Sequence, residues 1–214
     1  MTRIFIQARM SSSRFPGKVL TPLSGRPVLR RLVDAVTEIV PRADVAILTS
    51  TDPSDAAIEA FAESLGISVV RGPLDDVFER FRLALARLPC DRFVRLSADS
   101  PVLPPALLER MLAIPADGAD LVTNVHPRTF PKGWSVEVVN AATFAGLESR
   151  LLSAHDREHV TRYFYAAADR FTIRNVQSAD PRYAAMSLAV DSREDLVRIE
   201  DLIERGELPL VTFA

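Results

Sequence analysis

The chain has 214 residues, 48% hydrophobic and 25% charged, which suffices for one α/β domain with a substantial core. A formal net charge of −2 gives nothing that would draw the whole molecule to nucleic acid or a membrane surface, so phosphate binding must come from a local cluster. The single cysteine, Cys90, excludes an intrachain disulfide and a thiolate metal cluster; Gln7 and Arg9 arrive too early for a signal peptide, and no apolar run is long enough for a membrane span, so the cytoplasm is the expected location.

Ile4–Ala8 reads as a strand, followed by a polar loop through Lys18. The spacing of Val28, Leu29, Leu32, Val33 and Val36 predicts a helix over 27–40. Val45–Leu48 reads as a second strand. Asp52-Pro53 then looks like an N-cap with proline at the first helical position, opening a helix to about Leu65. Ser68–Arg71 is a short third strand, and 75–88 an amphipathic helix with Val77, Phe78, Phe81, Leu85 and Leu88 on one face. A strand at 92–97, a helix at 104–112 and a strand at 120–124 follow. Beyond Asn124 the rhythm changes. A half-exposed strand is expected at 135–139, a helix from Ala141, another over 156–168, and late strands at 171–176 and 186–190. Ser192 and Asp195 make a capping signal for a helix to about Glu204.

The first 124 residues thus give β-α-β-α-β-α-β-α-β, which implies one domain built on a mostly parallel sheet with helices on both faces. Residues 125–185 read as an added part and 186–214 as a returning strand and helix. Ligands of such sheets sit outside the carboxyl ends of the strands. That places 8–18, 49–52, 71–76 and 97–101 at the expected site.

The first loop, Gln7–Lys18, carries Arg9, Arg14 and Lys18, the hydroxyls of Ser11, Ser12 and Ser13, and a Pro-Gly turn. Such a set suits a triphosphate, which needs donors and positive charge, although an exposed polar turn has the same composition. It is not a G-x-x-x-x-G-K-[ST] loop. Asp99 ends an apolar strand beside a proline turn. It is either a carboxylate for a hard cation that bridges phosphates or a cap for the next helix. Asp191 also ends an apolar run. Alone it reads as a turn acid; brought next to Asp99 it would complete a two-carboxylate metal site. The histidines give no expectation of a zinc site, and His159 is expected to pack or hydrogen-bond locally. No G-x-S-x-G motif is present.

Five stretches, "QARMSSSRFPGKVL", "RLSADSP", "RTFPKGWSVEVV", "DREHVT" and "LAVDSREDL", occur in the order found in the SpsF-like spore coat polysaccharide proteins. The chain resembles that family, and with it the cytidylyltransferases that make CMP-sialic acid and CMP-Kdo, from Ile4 to about Ile203. The resemblance implies a GT-A-like Rossmann variant, a mostly parallel mixed sheet with helices on both faces. It also implies a Mg²⁺-dependent nucleotidyltransferase that activates a sugar or sugar acid with CTP, and a homodimer; neither nucleic acid nor membrane is an expected partner. Arg9, Lys18 and Asp99 would be catalytic, and Asp99 and Asp191 would hold the metal. Ile6, Ala8, Arg9, Ser12, Ser13, Arg14, Lys18, Ser50, Asp52, Arg71, Gly72, Arg95 and Ala98 would surround the nucleotide. Arg128, Thr129, Lys132, Glu137, Arg157, Glu158 and His159 would face the sugar. The family usually has glycine where Ser11 stands, which raises the question of the loop's shape. A glycosyltransferase on the same scaffold would usually carry D-x-D, whereas "SADSP" has one acid. A non-catalytic nucleotide-binding module is opposed by the retention of Arg9, Arg14, Lys18, Asp99 and Asp191.

Overall fold

A computed structural model describes residues 1–214. The chain runs β1 (Thr2–Gln7), a two-residue ribbon of β2 (Pro22–Leu23) and β3 (Arg26–Pro27), α1 (Val28–Thr37), β4 (Val45–Ser50), α2 (Ala56–Ser64), β5 (Ser68–Gly72), α3 (Val77–Arg87), β6 (Arg92–Ser97) and α4 (Pro105–Leu112). Then come β7 (Leu121–Thr123), β8 (Glu137–Asn140), α5 (Ala141–Ala145), α6 (Ala154–His159), α7 (Arg162–Ala166), β9 (Ile173–Asn175) and α8 (Arg193–Arg205). No helix is long and apolar enough to cross a membrane.

The main sheet has the order β5-β4-β1-β6-β8-β7-β9. All its strands run the same way except β8, which is antiparallel to both β6 and β7. The sheet is thus mostly parallel and mixed, as expected; β8 slips between β6 and β7, so the fifth strand of the chain's opening run is not β6's neighbour. Alternation along β1 divides the core. Ile4 and Ile6 face α1, α4 and α8, whose Leu29, Leu32, Leu107, Leu108 and Ile199 are buried. Phe5 faces α3, α5 and α7, where it stacks on Phe93 at 5.4 Å and meets Phe81 edge-on at 6.1 Å. Each such ring, fully buried, contributes about 1.5–3 kcal/mol over an exposed one, so this face holds α3 firmly at the carboxyl end of β5.

Several helix starts follow from side chains at hand. Asp52 accepts from Ser54 N at 2.9 Å and caps a 3-10 turn, Pro53–Asp55, before α2 begins. Asp76 accepts from Glu79 N at 2.9 Å at the head of α3. Ser192 and Asp195 form the expected capping box of α8.

Two expectations need correction. The single helix over 156–168 is broken into α6 and α7 at Val160, which is buried and has φ 49. The turn sends the α6 residues Glu158 and His159 to one side and the α7 residue Phe164 into the core. The late strand at 186–190 is not a strand of the sheet. Its residues instead bond to the 132 loop, with Lys132 N donating to Met186 O at 2.9 Å and Leu188 N to Lys132 O at 2.6 Å, and a single bridge pairs Lys132 with Ser187.

Gly133 makes that approach possible. Its φ is 98, and a Cβ there would stand 2.5 Å from the backbone carbon of Leu188 and 2.7 Å from Ala189 N. Backbone cannot step aside as a side-chain tip can. Gly133→Ala is therefore expected to destabilise the protein by roughly 3 kcal/mol, measured by urea unfolding. Unchanged stability would mean that the 186–190 segment is free to move.

Candidate active site

A cleft of about 550 Å³ opens at the carboxyl ends of β1 and β6. Its walls are the first loop, the first turn of α3, the 128–135 loop, α6 and the segment that leads to Asp191. Of the residues expected at a site, Ala8, Arg9, Ser12, Ser13, Arg14, Lys18, Arg95, Ala98, Asp99, Arg128, Lys132, Glu158, His159 and Asp191 line it.

The first loop is built to stand open. Gly17, at φ 76, donates its N–H to Met10 O at 2.8 Å and closes the turn. Ser11 has no positive φ, so the loop keeps its shape without glycine there. The loop's base is pinned by a carboxylate the sequence reading passed over. Asp55, fully buried, accepts from Met10 N at 2.7 Å, Thr49 Oγ1 at 2.9 Å, Ser50 N at 2.9 Å and Ser50 Oγ at 2.5 Å. Four donors on one anion fix the loop to the end of β4.

The far wall brings the two strand-end acids together. Val190 N donates to Asp99 O at 2.9 Å, which docks the returning segment beside β6. Lys18 Nζ then lies 3.0 Å from Asp99 Oδ2 and 3.0 Å from Asp191 Oδ1. Only one ammonium separates the two carboxylates. Lys132 reaches the other oxygen of Asp191 at 2.6 Å, and Arg14 comes within 3.3 Å of it. Burial opposes charge on Asp191, but hydrogen bonds from Lys132 and Lys18, and the charges behind them, outweigh it and bring the pKa down to about 2.

The floor is Arg95. Its Nε donates to Gln7 Oε1 at 3.0 Å and its Nη1 to Thr161 Oγ1 at 3.3 Å and to Glu137. Glu137 is 3% exposed, and its second oxygen accepts from the Tyr165 hydroxyl. Burial, and then the charge of Glu137, push the Tyr165 phenol far above its ordinary pKa and keep it protonated. Both oxygens of Glu137 are thus occupied, and this acid supports Arg95 rather than facing a sugar directly. Arg128 bonds to Pro131 O at 3.3 Å and Ser135 Oγ at 3.1 Å. Arg9 pairs with Glu158 at 3.3 Å. Burial, and then the neighbouring His155, hold His159 below its ordinary pKa, so it faces the cleft as neutral imidazole at pH 7. His155 and His159 stand four apart on α6 with rings 4.3 Å apart, but no third ligand joins them to make a metal group.

The remaining expected residues lie outside the cleft lining, each for a visible reason. Ile6 is core and Ser50 is bound to Asp55. Asp52 caps its turn. Arg71 clamps Ser50 O, Asp52 O and Glu59. Gly72 is small because a Cβ would stand 2.8 Å from Arg80 Cγ. Thr129 accepts from Ser178 N at 2.9 Å, and Arg157 binds Asp76 and Ser149 O. Arg80, which the sequence reading missed, lines the cleft from within α3. Its only signal was a cation on the apolar side of an amphipathic helix.

A cationic loop on one side of a sheet-end cleft, with two convergent acids on the other, is the plan of an α/β nucleotidyltransferase. The Cytidylyltransferase family model matches residues 4–206, and the chain belongs to that family. It is 32% identical over 219 residues to the spore coat polysaccharide biosynthesis protein SpsF of Bacillus subtilis (strain 168), covering 97% of this chain and 88% of that one. It is 26% identical to a 3-deoxy-manno-octulosonate cytidylyltransferase of Bdellovibrio bacteriovorus, over 92% of this chain and 96% of the relative. Among solved structures, a cytidylyltransferase from Leptospira borgpetersenii superposes with a TM-score of 0.90 at 26% identity, covering 97% of this chain and 89% of that one.

Proposed function

We propose that this cytidylyltransferase transfers CMP from CTP to a sugar or sugar acid for surface polysaccharide synthesis. An acceptor oxygen bonds to the α-phosphorus while the bond from that phosphorus to the bridging oxygen breaks, and pyrophosphate leaves. The observation that carries this reading is the convergence of Asp99 and Asp191 on Lys18 across from the first loop. Two hard oxygen donors around one cation fit Mg²⁺, which takes one or two carboxylates and completes its shell with phosphate oxygens and water. When bound there, the ion would supply charge neutralisation at the phosphates and polarise them.

The chain's own groups position and neutralise. Lys18, Arg9 and Arg14 face the triphosphate, and the hydroxyls of Ser12 and Ser13 add donors. Arg128, Lys132, Glu158 and His159 stand on the acceptor's side, with Arg95 held rigidly beneath by Gln7 and Glu137. Catalysis of this kind comes mainly from placement and electrostatics. A homodimer and a cytoplasmic location, both usual for such enzymes, complete the proposal.

CTP with Mg²⁺ is expected to stabilise the protein against heat more than GTP, UTP or ATP, by about 2.7 kcal/mol at a hundred times its Kd. Release of pyrophosphate from CTP on addition of sugar acids then tests turnover. Equal stabilisation by all four nucleotides, or a preference for a purine, would overturn the cytidine assignment and leave the fold untouched.

A further inference from the structure

Bond making at the α-phosphorus leaves one proton to place. The acceptor oxygen begins as a hydroxyl, and its proton must go to a group within reach. Lysine and arginine are already protonated at neutral pH and cannot take it. Among the ionisable side chains that line the cleft, those able to accept are Asp99, Asp191, Glu158 and His159.

Three of the four are engaged. Asp99 and Asp191 share Lys18 at 3.0 Å each, and Asp191 also holds Lys132 at 2.6 Å. Glu158 is paired with Arg9 at 3.3 Å. His159 makes no such bond with its ring. Thr161 binds its backbone oxygen, from N at 2.5 Å and from Oγ1 at 3.4 Å, and leaves the imidazole alone. The ring is nonetheless placed. His159 is the last residue of α6, and the turn at Val160 leads the chain away directly after it, so the ring stays in the open wall of the cleft. His155, one turn earlier, packs against it edge to face with ring centres 4.3 Å apart.

The surroundings keep that ring neutral. Partial burial, and then His155, hold its pKa down; Arg95 on β6 and Arg162 on α7 act in the same sense, and Glu158 opposes them. Arg9 of the first loop offsets Glu158, and Asp156 takes Arg162. A base works best when its proton affinity matches the working pH, and an ordinary carboxylate falls about two units short of an imidazole.

The geometry points to His159 as the general base of the reaction. Its ring takes the proton of the acceptor hydroxyl as that oxygen bonds to the α-phosphorus, and the electron pair of the bond that breaks leaves with pyrophosphate. The imidazolium then returns its proton to solvent. This inference rests on the cytidylyl-transfer reading above and adds to it the group that receives the proton.

Pyrophosphate release from CTP with 3-deoxy-manno-octulosonate, followed from about pH 4 to 9 in wild type, His159→Gln and His159→Ala, tests it. Wild-type kcat is expected to fall on the acid side with a midpoint below about pH 6.5, where an imidazole takes up its proton. His159→Gln is expected to lose about 10²-fold in kcat and the acid limb with it, while KM for both substrates stays within about twofold. Added imidazole is expected to restore part of the rate of His159→Ala. A variant with wild-type kcat, or one whose acceptor KM rises while kcat and the acid limb stay, would overturn the assignment and leave cytidylyl transfer standing. Loss of kcat with the acid limb kept and no rescue by imidazole would make His159 a structural part of the wall and overturn it equally. Should neither variant fold, wild-type kcat without an acid limb above about pH 5 would do the same. Wild-type protein that releases no pyrophosphate from CTP with this or any other sugar acid would remove the functional reading first, and this inference with it.

Discussion

Asp191→Asn is expected to cut turnover by about 10²–10³-fold with the fold preserved, and Asp99→Asn to do nearly the same. Both side chains present oxygens to one cation position at the cleft wall, so an amide at either place removes half of the anionic pair. The fold should survive. Two of the three cations facing Asp191 stand largely in solvent, with Lys132 and Arg14 side chains 55% and 68% exposed. The capping of α8 belongs to Ser192 and Asp195, not to Asp191. Pyrophosphate release and circular dichroism, measured on the same samples, separate lost chemistry from lost structure. Full activity in both variants would make the pair structural and the metal assignment wrong.

Lys18→Ala is the second large effect. The side chain is 12% exposed and its ammonium is already held by both acids, so it meets a triphosphate without first being ordered. Its loss is expected to weaken CTP binding by roughly 1.5–3 kcal/mol, the range for a charge-assisted hydrogen bond. The same substitution removes the one cation that stands between the two carboxylates, so Mg²⁺ alone is expected to bind the variant more tightly than the wild type. The two shifts have opposite signs, which no general loosening of the loop would produce. Calorimetry with CTP and with Mg²⁺ alone measures both. Unchanged CTP affinity would return the loop to an ordinary polar turn.

Much of the fold could be read from residue spacing, because the first half is governed by local periodicity. Val28 to Val36 and Val77 to Phe81 announce α1 and α3, and the strand at Arg92–Ser97 falls where the apolar run lies. The failures have physical causes. Val160 breaks a helix that its neighbours would continue, and no local residue type signals a left-handed valine. The 186–190 run is apolar because it packs, yet its partners are loop backbone at 132, which periodicity cannot reveal. The reversed β8 brings its beginning, Glu137, to the rim where parallel neighbours bring their ends, and there both its oxygens are taken by Arg95 and Tyr165, which the family resemblance alone did not show. At the site, charges that stand on loops were legible: Arg9, Arg14, Lys18, Asp99, Lys132 and Asp191 all line one cleft. What was hidden were the supports. Asp55, Gln7 and Tyr165 act through partners distant in the chain, and single residues carry no mark of such partners.

The docking of Val190 on the backbone of Asp99 has a consequence for how the protein comes into being. A chain emerging from the ribosome can assemble β1, β4, β5 and β6 with their helices while Asp191 is still unmade. During that interval the first loop, the arginine of α3 and Asp99 exist, but the second acid does not. The two acids can meet only once the returning segment has docked beside Gly133, so the cleft wall is closed by the last part of the chain to be made.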